Sequence, residues 1–170
     1  MSDAQREGDL EALHPASFGW ALGCCNGDRG EAEDVLQAAY LKVLEGRARF
    51  DGRSGFRTWL FAVIRRTAAE RRRRRWVRGL AFDRWWTGRA EPGPVTDPER
   101  LACSSEAARR LQASLPALPA RQRELLHLVF YQDLSLDEAA QVLGISVGSA
   151  RTHYHRAKAR LRRLLAEGRR

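Results

Sequence analysis

The sequence has no long apolar run and few cysteines. Its longest clean apolar stretch, Trp59–Ile64, falls far short of the roughly 20 residues that a membrane span needs, so we expect no membrane insertion. Cys24, Cys25 and Cys103 are too few and too poorly spaced for a disulfide framework or a zinc site. We expect reduced thiols, with redox sensing as the alternative. The N-terminus is polar and acidic, unlike a signal peptide, which indicates a cytoplasmic protein.

Recognisable catalytic motifs are also lacking. The sequence has no nucleotide-binding glycine-rich loop, no histidine, cysteine and aspartate cluster at metal-ligand spacing, and no convincing Ser/His/Asp set. The four histidines are scattered. The sequence therefore predicts a protein that is not an enzyme and that needs neither a metal nor another cofactor.

Lysine is scarce, and positive charge is unevenly placed. Only Lys42 and Lys158 accompany the arginines among 30 basic residues. Residues 1–45 carry net charge −6, residues 46–90 carry +11, and residues 91–170 carry +4. Arginine can grip phosphate with two parallel hydrogen bonds. The charge of the middle segment therefore predicts a polyanionic partner.

Apolar residues recur with helical spacing, and no segment is typical of a strand. The first clear apolar face ends before Gly46, a plausible stop signal. It consists of Ala32, Val35, Leu36, Ala39, Tyr40, Val43 and Leu44. Asp34, Gln37 and Leu41 lie on the opposite side of this helix, where an apolar Leu41 beside polar neighbours suggests a docking surface.

A second helix follows the glycine-rich loop 49–55, and Ser54 is positioned to cap it. Its apolar face consists of Phe56, Trp59, Leu60, Val63, Ile64, Thr67 and Ala68. The helix continues into an arginine-rich stretch with eight positive charges within fourteen residues, at Arg65, Arg66, Arg71–Arg75 and Arg78. Like charges at this density repel one another on a helix, so the pattern favours phosphate binding over a merely solvated face.

Residues 80–105 are rich in glycine and proline, which predicts a linker. Trp85 and Trp86 lie in it, and they either pack on the first domain or meet a partner. Residues 135–160 instead predict a helix-turn-helix: a capping box at Ser135 and Glu138, a turn at Gly144, and a longer second helix. The outward side of that helix carries residues suited to base edges and phosphates, namely Ser149, Arg151, Thr152, His155 and Arg156.

Three stretches, taken in order and with their spacing, resemble the extracytoplasmic-function sigma factors of bacterial RNA polymerase. Residues 31–44 are similar to the family's polymerase-docking helix, residues 50–75 to its promoter-melting and minus-ten segment, and residues 115–163 to its minus-thirty-five-binding domain. The resemblance implies an all-α fold of two small domains. These are a sigma region 2-like helical bundle over residues 8–79 and a region 4-like helix-turn-helix domain over residues 106–167, joined by a flexible linker over residues 80–105.

The resemblance also assigns roles to residues. Asp34 and Gln37, with Leu41 beside them, would dock on the coiled coil of the largest polymerase subunit. The loop would capture a base flipped from the non-template strand, while the arginine-rich helix would hold the backbone of the opening bubble. That minus-ten surface consists of Phe50, Arg53, Ser54, Arg57, Arg65, Arg66, Arg72 and Arg73. The minus-thirty-five surface is the outward stripe Ser149, Arg151, Thr152, His155 and Arg156.

The implied partners are core RNA polymerase, through its coiled coil and flap, and promoter DNA, with an anti-sigma protein as a reasonable further expectation. The predicted function is that of a sigma factor, which brings core polymerase to specific promoters and helps to open them. The alternative is a one-component helix-turn-helix regulator. Such a regulator would need a sensor domain or a dimer interface, and the first half of the sequence resembles neither.

Overall fold

The computed structural model of the chain describes residues 3–83, 110–111 and 113–167. All regular structure within these ranges is helical, which confirms the predicted all-α class. The helices are α1 (Asp3–Ala12), α2 (His14–Cys24), α3 (Arg29–Leu44), α4 (Phe56–Asp83), α5 (Ala120–Phe130), α6 (Leu136–Leu143) and α7 (Val147–Glu167), with a 3-10 turn at Leu115–Ala117 before α5.

The chain divides into two compact units. Among the described residues, the first unit contains α1, α2, α3 and the part of α4 from Val63 onward, and the second contains α4 up to Ala62 together with α5, α6 and α7. Helix α4 continues through Asp83, into the first residues of the segment predicted as a linker. The rest of that segment, with Trp85, Trp86 and Cys103, lies outside the described residues.

Helices α2 and α3 pack against each other in the first unit, and α1 packs against both. Pro15 stands in the first turn of α2, where its missing N–H leaves no hydrogen bond unmade. Trp20 in the middle of α2 is fully buried. Asp28 caps α3, since its Oδ1 accepts the N–H of Glu31 at 2.9 Å.

The predicted inward face of α3 is confirmed except at Tyr40, which is half-buried, and at its end. The buried members are Ala32, Val35, Leu36, Ala39 and Val43. Leu44 was also expected to face inward, but it is 46% exposed. It is the last residue of the helix, one position beyond the last buried one, and the chain then turns at Gly46 with a φ of 69°. Periodicity alone does not show where the core ends along a helix.

The inward face of α4 is broader than predicted. Its buried residues are Thr58, Leu60, Phe61, Val63, Ile64, Thr67 and Ala68, and Thr58 and Phe61 are additions to the expected set. Phe56 and Trp59 are half-buried, with ring centroids 5.3 Å apart. Ser54 does not cap this helix as expected: its hydroxyl donates to the carbonyl of Gly55 at 3.3 Å, and the first backbone bond of the helix runs from the Trp59 N–H to the Gly55 carbonyl.

Helices α5, α6 and α7 pack against one another in the second unit. Leu125, Leu128 and Leu143 supply fully buried side chains. Leu118 and Leu126 meet Ala157 of α7 in one cluster, which is covered by Leu115, Tyr154 and Leu161. Helix α7 buries only alanines completely, at Ala150 and Ala157, so its backbone approaches the other two helices closely and its wide outer surface stays in solvent.

Candidate nucleic-acid interface

Helices α6 and α7 form the predicted helix-turn-helix. The Ser135 N–H donates to Glu138 Oε2 at 2.9 Å, and the Glu138 N–H donates to Ser135 Oγ at 3.2 Å, which confirms the capping box. The backbone N–H of Ser135 is the main reason that the pKa of Glu138 lies below its usual value. Gly144 then ends α6 in the left-handed region, with a φ of 63°, which only glycine adopts without strain.

The outer surface of α7 presents all five predicted residues. Ser149, Arg151, Thr152, His155 and Arg156 are exposed, and the opposite side is buried at Ala150 and Ala157. Ser149 and Thr152 bond locally, since Ser149 Oγ accepts from Ser146 Oγ at 2.9 Å and Thr152 Oγ1 donates to the Gly148 carbonyl at 3.0 Å.

The two arginines of this stripe are not used by the fold. Within the part of the chain that the structure describes, Arg151 and Arg156 make no ion pair and no side-chain hydrogen bond. Their guanidinium groups therefore lie on the exposed side of the helix with their donors available. This is the arrangement that a recognition helix needs for phosphates and guanine edges in a major groove.

Helix α4 carries arginines on both sides, and the two sides differ in what they contact. Arg71 Nε donates to Glu31 Oε1 at 3.2 Å and Arg71 Nη2 donates to Asp34 Oδ2 at 2.6 Å, while Arg75 Nη2 lies 3.1 Å from Glu31 Oε2. Lys42 of α3 completes this side by donating to Glu70 Oε2 at 2.7 Å. Carboxylates of α3 therefore neutralise part of the arginine-rich helix, which the sequence reasoning did not foresee.

The other side of α4 faces solvent. Arg72 and Arg73 are exposed, and neither makes a hydrogen bond or an ion pair to any residue of the described ranges. Arg66 is exposed and Arg65 is half-buried on the same side, one to two turns earlier. Because Arg71 and Arg75 are tied to α3, the rotation of the helix about its axis is fixed and this second set points outward.

The loop before α4 contributes the remaining minus-ten candidates, and Arg57 differs from the others. Arg53 is exposed, while Phe50 and Ser54 are half-buried. Arg57 instead donates through Nη2 to the backbone carbonyl of Gln132 at 2.7 Å within the second unit, and its guanidinium lies 5.3 Å from the ring centroid of Phe61. The structure therefore gives Arg57 an internal partner and not a free guanidinium.

The predicted docking residues share one exposed face of α3. Asp34 and Gln37 are exposed, and Leu41 is 46% exposed. Leu44 lies one turn beyond Leu41 and is a second apolar residue on this face. The helical periodicity of the sequence had assigned Leu44 to the core. Asp34 also holds Arg71, so one carboxylate belongs both to this face and to the α3–α4 contact.

Two family models match the chain: Sigma-70 region 2 over residues 10–78 and Sigma-70, region 4 over residues 108–161. The ECF RNA polymerase sigma factor SigX of Bacillus subtilis is 32% identical over 139 residues, which cover 80% of this chain and 71% of that protein. SigF of Caulobacter vibrioides, also an ECF sigma factor, is 35% identical over 155 residues, covering 91% and 81%. This chain belongs to the extracytoplasmic-function sigma factors.

Solved structures agree with this sigma factor in fold. The sigma factor RpoE from Bartonella quintana, in complex with the anti-sigma factor NepR, is similar with a TM-score of 0.69, covering 94% of this chain and 96% of that chain at 23% identity. CnrH in complex with the cytosolic domain of CnrY gives a TM-score of 0.66, covering 97% and 95% at 24% identity.

As a sigma factor, the protein directs core RNA polymerase to specific promoters and assists DNA opening, and its partners include core polymerase and promoter DNA. The family match therefore favours this function over a one-component regulator. In the described ranges, no helix is long and apolar enough to cross a membrane. Nor do the histidine, cysteine, aspartate and glutamate side chains of those ranges form a group that could hold a metal ion.

The two described cysteines of this sigma factor lie at the end of α2. Cys24 is buried and Cys25 is half-buried, and neither is joined to the other by a disulfide. Burial, reinforced by the nearby carboxylates of Glu31 and Asp28, raises the pKa of Cys25 to about 11. Because the thiolate is the reactive form, this environment suppresses the chemistry that a redox sensor would need.

Proposed function

We propose that this sigma factor divides its work among three surfaces, each meeting a different partner. The first is the outward stripe of α7, which lies in the major groove of the minus-thirty-five element. Arg151 and Arg156 contact guanine edges or phosphates, and Ser149, Thr152 and His155 contact phosphates and base edges beside them. The observation that carries this proposal is that all five side chains are exposed opposite a buried alanine face.

The second surface is the outer side of α4 together with the loop before it. Arg65, Arg66, Arg72 and Arg73 hold the DNA backbone around the opening bubble, and Phe50, Arg53 and Ser54 capture an unpaired base. Arg57 is left out of this surface, because its guanidinium contacts the Gln132 carbonyl and lies over Phe61. The exposure of Arg72 and Arg73, beside Arg71 and Arg75 that are paired with carboxylates of α3, supports this surface.

The third surface is the exposed face of α3, which docks on the coiled coil of the largest polymerase subunit. Asp34 and Gln37 supply polar contacts, and Leu41 and Leu44 supply an apolar patch that becomes buried on docking. The second unit additionally contacts the flap of the polymerase. The protein acts in the cytoplasm without catalytic chemistry of its own, and an anti-sigma protein holds it inactive. The two solved neighbours, each with a bound partner, support that last step.

The test of the α7 stripe is transcription by the reconstituted holoenzyme on genomic promoter fragments, with the RNA 5′ ends sequenced to locate promoters. A R151A/R156A variant should lose most promoter-dependent transcripts, since each specific arginine contact is worth about 1–3 kcal/mol. Arg162 and Arg163 are also exposed on α7, roughly 10 Å beyond Arg156 along the helix axis. R162A/R163A removes the same two charges there and should retain transcription.

Two results would contradict the proposal. If R162A/R163A lost as much transcription as R151A/R156A, the effect would be one of net charge and the stripe would not be the reading surface. If the wild-type protein neither co-purified with core polymerase nor gave promoter-dependent transcripts, the division of work proposed here would fail as a whole.

A further inference from the structure

Trp76 is a large apolar side chain that is not packed into the core of the described fold. It lies on α4 with 65% of its surface exposed, and it makes no ring contact and no hydrogen bond to any described residue. Val77 beside it is 54% exposed. A lone exposed apolar residue means little, so the significance of Trp76 depends on what surrounds it.

The surroundings of Trp76 are cationic. Arg72 and Arg73 precede it by four and three positions, so all three side chains share one ridge of the helix. Both arginines are exposed and lack ion pairs within the described ranges. Arg71, which is bonded to Glu31 and Asp34, lies about 140° from Trp76 around the helix axis, so the indole is turned away from that contact. Arg72 lies between the two, and its charge also acts on the thiol of Cys25.

An indole ring next to two unpaired guanidinium groups matches the chemistry of a single nucleic-acid strand. Guanidinium groups neutralise successive phosphates, and an exposed indole face stacks on any unpaired base, whatever its identity. An acidic protein surface would satisfy the arginines but would offer no planar partner for the indole. Charge and shape together therefore favour a DNA strand over a protein as the occupant.

The geometry points to Trp76 as a base-stacking platform: it binds an unpaired base of the DNA strand whose phosphates lie on Arg72 and Arg73. This inference rests on the proposed strand-holding role of α4 and extends that surface by one helical turn. It adds a contact of a different kind, because the arginines bind phosphates and Trp76 stacks on bases.

The full-length protein allows these two contributions to be measured separately. The probes are a fluorescein-labelled oligothymidylate and an abasic oligonucleotide of equal length, which has the phosphates but no bases, and the readout is fluorescence anisotropy at several salt concentrations. We expect the wild type to bind oligothymidylate more tightly. W76A should weaken oligothymidylate binding by roughly tenfold while leaving abasic binding unchanged, since stacking on one aromatic residue contributes on that order.

Matched variants complete the design. W76F keeps an aromatic face and should retain much of the preference for bases, whereas V77A removes exposed apolar surface at the next position and should retain all of it. R72A/R73A should weaken both probes equally and should reduce the salt slope, the change of log K with log salt, by about 1.4. Because Trp76 is exposed, thermal unfolding should show W76A to be folded.

Three outcomes would overturn the platform. In the first, W76A keeps the wild-type preference for oligothymidylate. In the second, W76A weakens both probes equally. In the third, W76A leaves DNA binding intact and lowers the capture of core polymerase, which would make Trp76 a protein contact. If R72A/R73A behaved as expected in any of these cases, the strand-holding role of α4 would stand while the stacking role failed.

Discussion

Replacing Glu31 by glutamine is expected to destabilise the first unit by about 2 kcal/mol. The Glu31 side chain is only 10% exposed, and it lies 3.2 Å from Arg71 and 3.1 Å from Arg75. An ion pair in water contributes up to about 1 kcal/mol, and breaking a fully buried one costs about 3–5 kcal/mol. Since the carboxylate is nearly buried while its two partners are partly exposed, the loss falls between these limits.

The assay is thermal unfolding followed by circular dichroism. In a unit of this size about 1 kcal/mol corresponds to 4–8 °C, so E31Q should lower the melting temperature of the first unit by about 10 °C. Glu33 provides the matched control, because it is on the same helix and its ion pair with Arg29 is exposed, with 59% of the Glu33 side chain accessible. E33Q should cost only about 0.3–0.5 kcal/mol.

Part of the Glu31 effect does not depend on any arginine, because Glu31 lies in the first turn of α3. A carboxylate there interacts with the helix dipole by about 0.3–1 kcal/mol. A double-mutant cycle of E31Q with R75A isolates the ion pair, since Arg75 pairs with Glu31 alone among the described residues. We expect a coupling of at least about 0.5 kcal/mol. No coupling, or an E31Q melting temperature equal to that of E33Q, would refute this reasoning.

Three further predictions follow from single sites. L41A/L44A should lower capture of core polymerase about tenfold. The melting temperature should not change, because both side chains are substantially exposed. A fall in both polymerase capture and melting temperature would assign these residues to the core. The folded C103S variant should react with a thiol reagent at pH 8 far more slowly than free cysteine does. The pKa of Cys25 is about 11, so only about one Cys25 thiol in a thousand is ionised at that pH. Rapid labelling would contradict this prediction. S135A should destabilise the second unit by about 1 kcal/mol at neutral pH. Because the pKa of Glu138 is lowered in the fold, its contribution is present above the unfolded pKa and is lost as pH falls through the folded pKa. S135A keeps the backbone N–H that is the main cause of this shift, whereas E138Q removes the carboxylate, so E138Q should weaken the loss of stability in acid; an E138Q acid profile equal to that of the wild type would count against the capping box.

Features encoded by neighbouring residues could be read from the sequence. The capping box needs only Ser135 and Glu138, three positions apart, and the end of α6 needs only Gly144. The outward stripe of α7 follows from helical periodicity once Ala150 and Ala157 are recognised as the side that packs. These elements were predicted because their hydrogen bonds and faces are settled within one or two helical turns.

Features that depend on distant residues could not be read in this way. Arg71 is 40 positions from Glu31, and Arg57 is 75 positions from Gln132. In the sequence both arginines belong to the basic segment 46–90, and nothing local separates them from Arg72 and Arg73. Only the packing of α3 on α4, and of the start of α4 within the second unit, decides which guanidinium groups remain available for phosphates.

Asp34 shows how this packing affects the docking surface. Its carboxylate is 58% exposed and accepts from Arg71 at 2.6 Å, so a basic group of polymerase that bound Asp34 would compete with Arg71. R71A removes that competitor, and at temperatures where the first unit stays folded it should therefore maintain or increase polymerase capture. D34N should lower capture, and Q37A should do so without breaking the α3–α4 contact. If R71A lowered capture as much as D34N, then Asp34 would act by holding α4 in place, and its assignment to docking would be wrong.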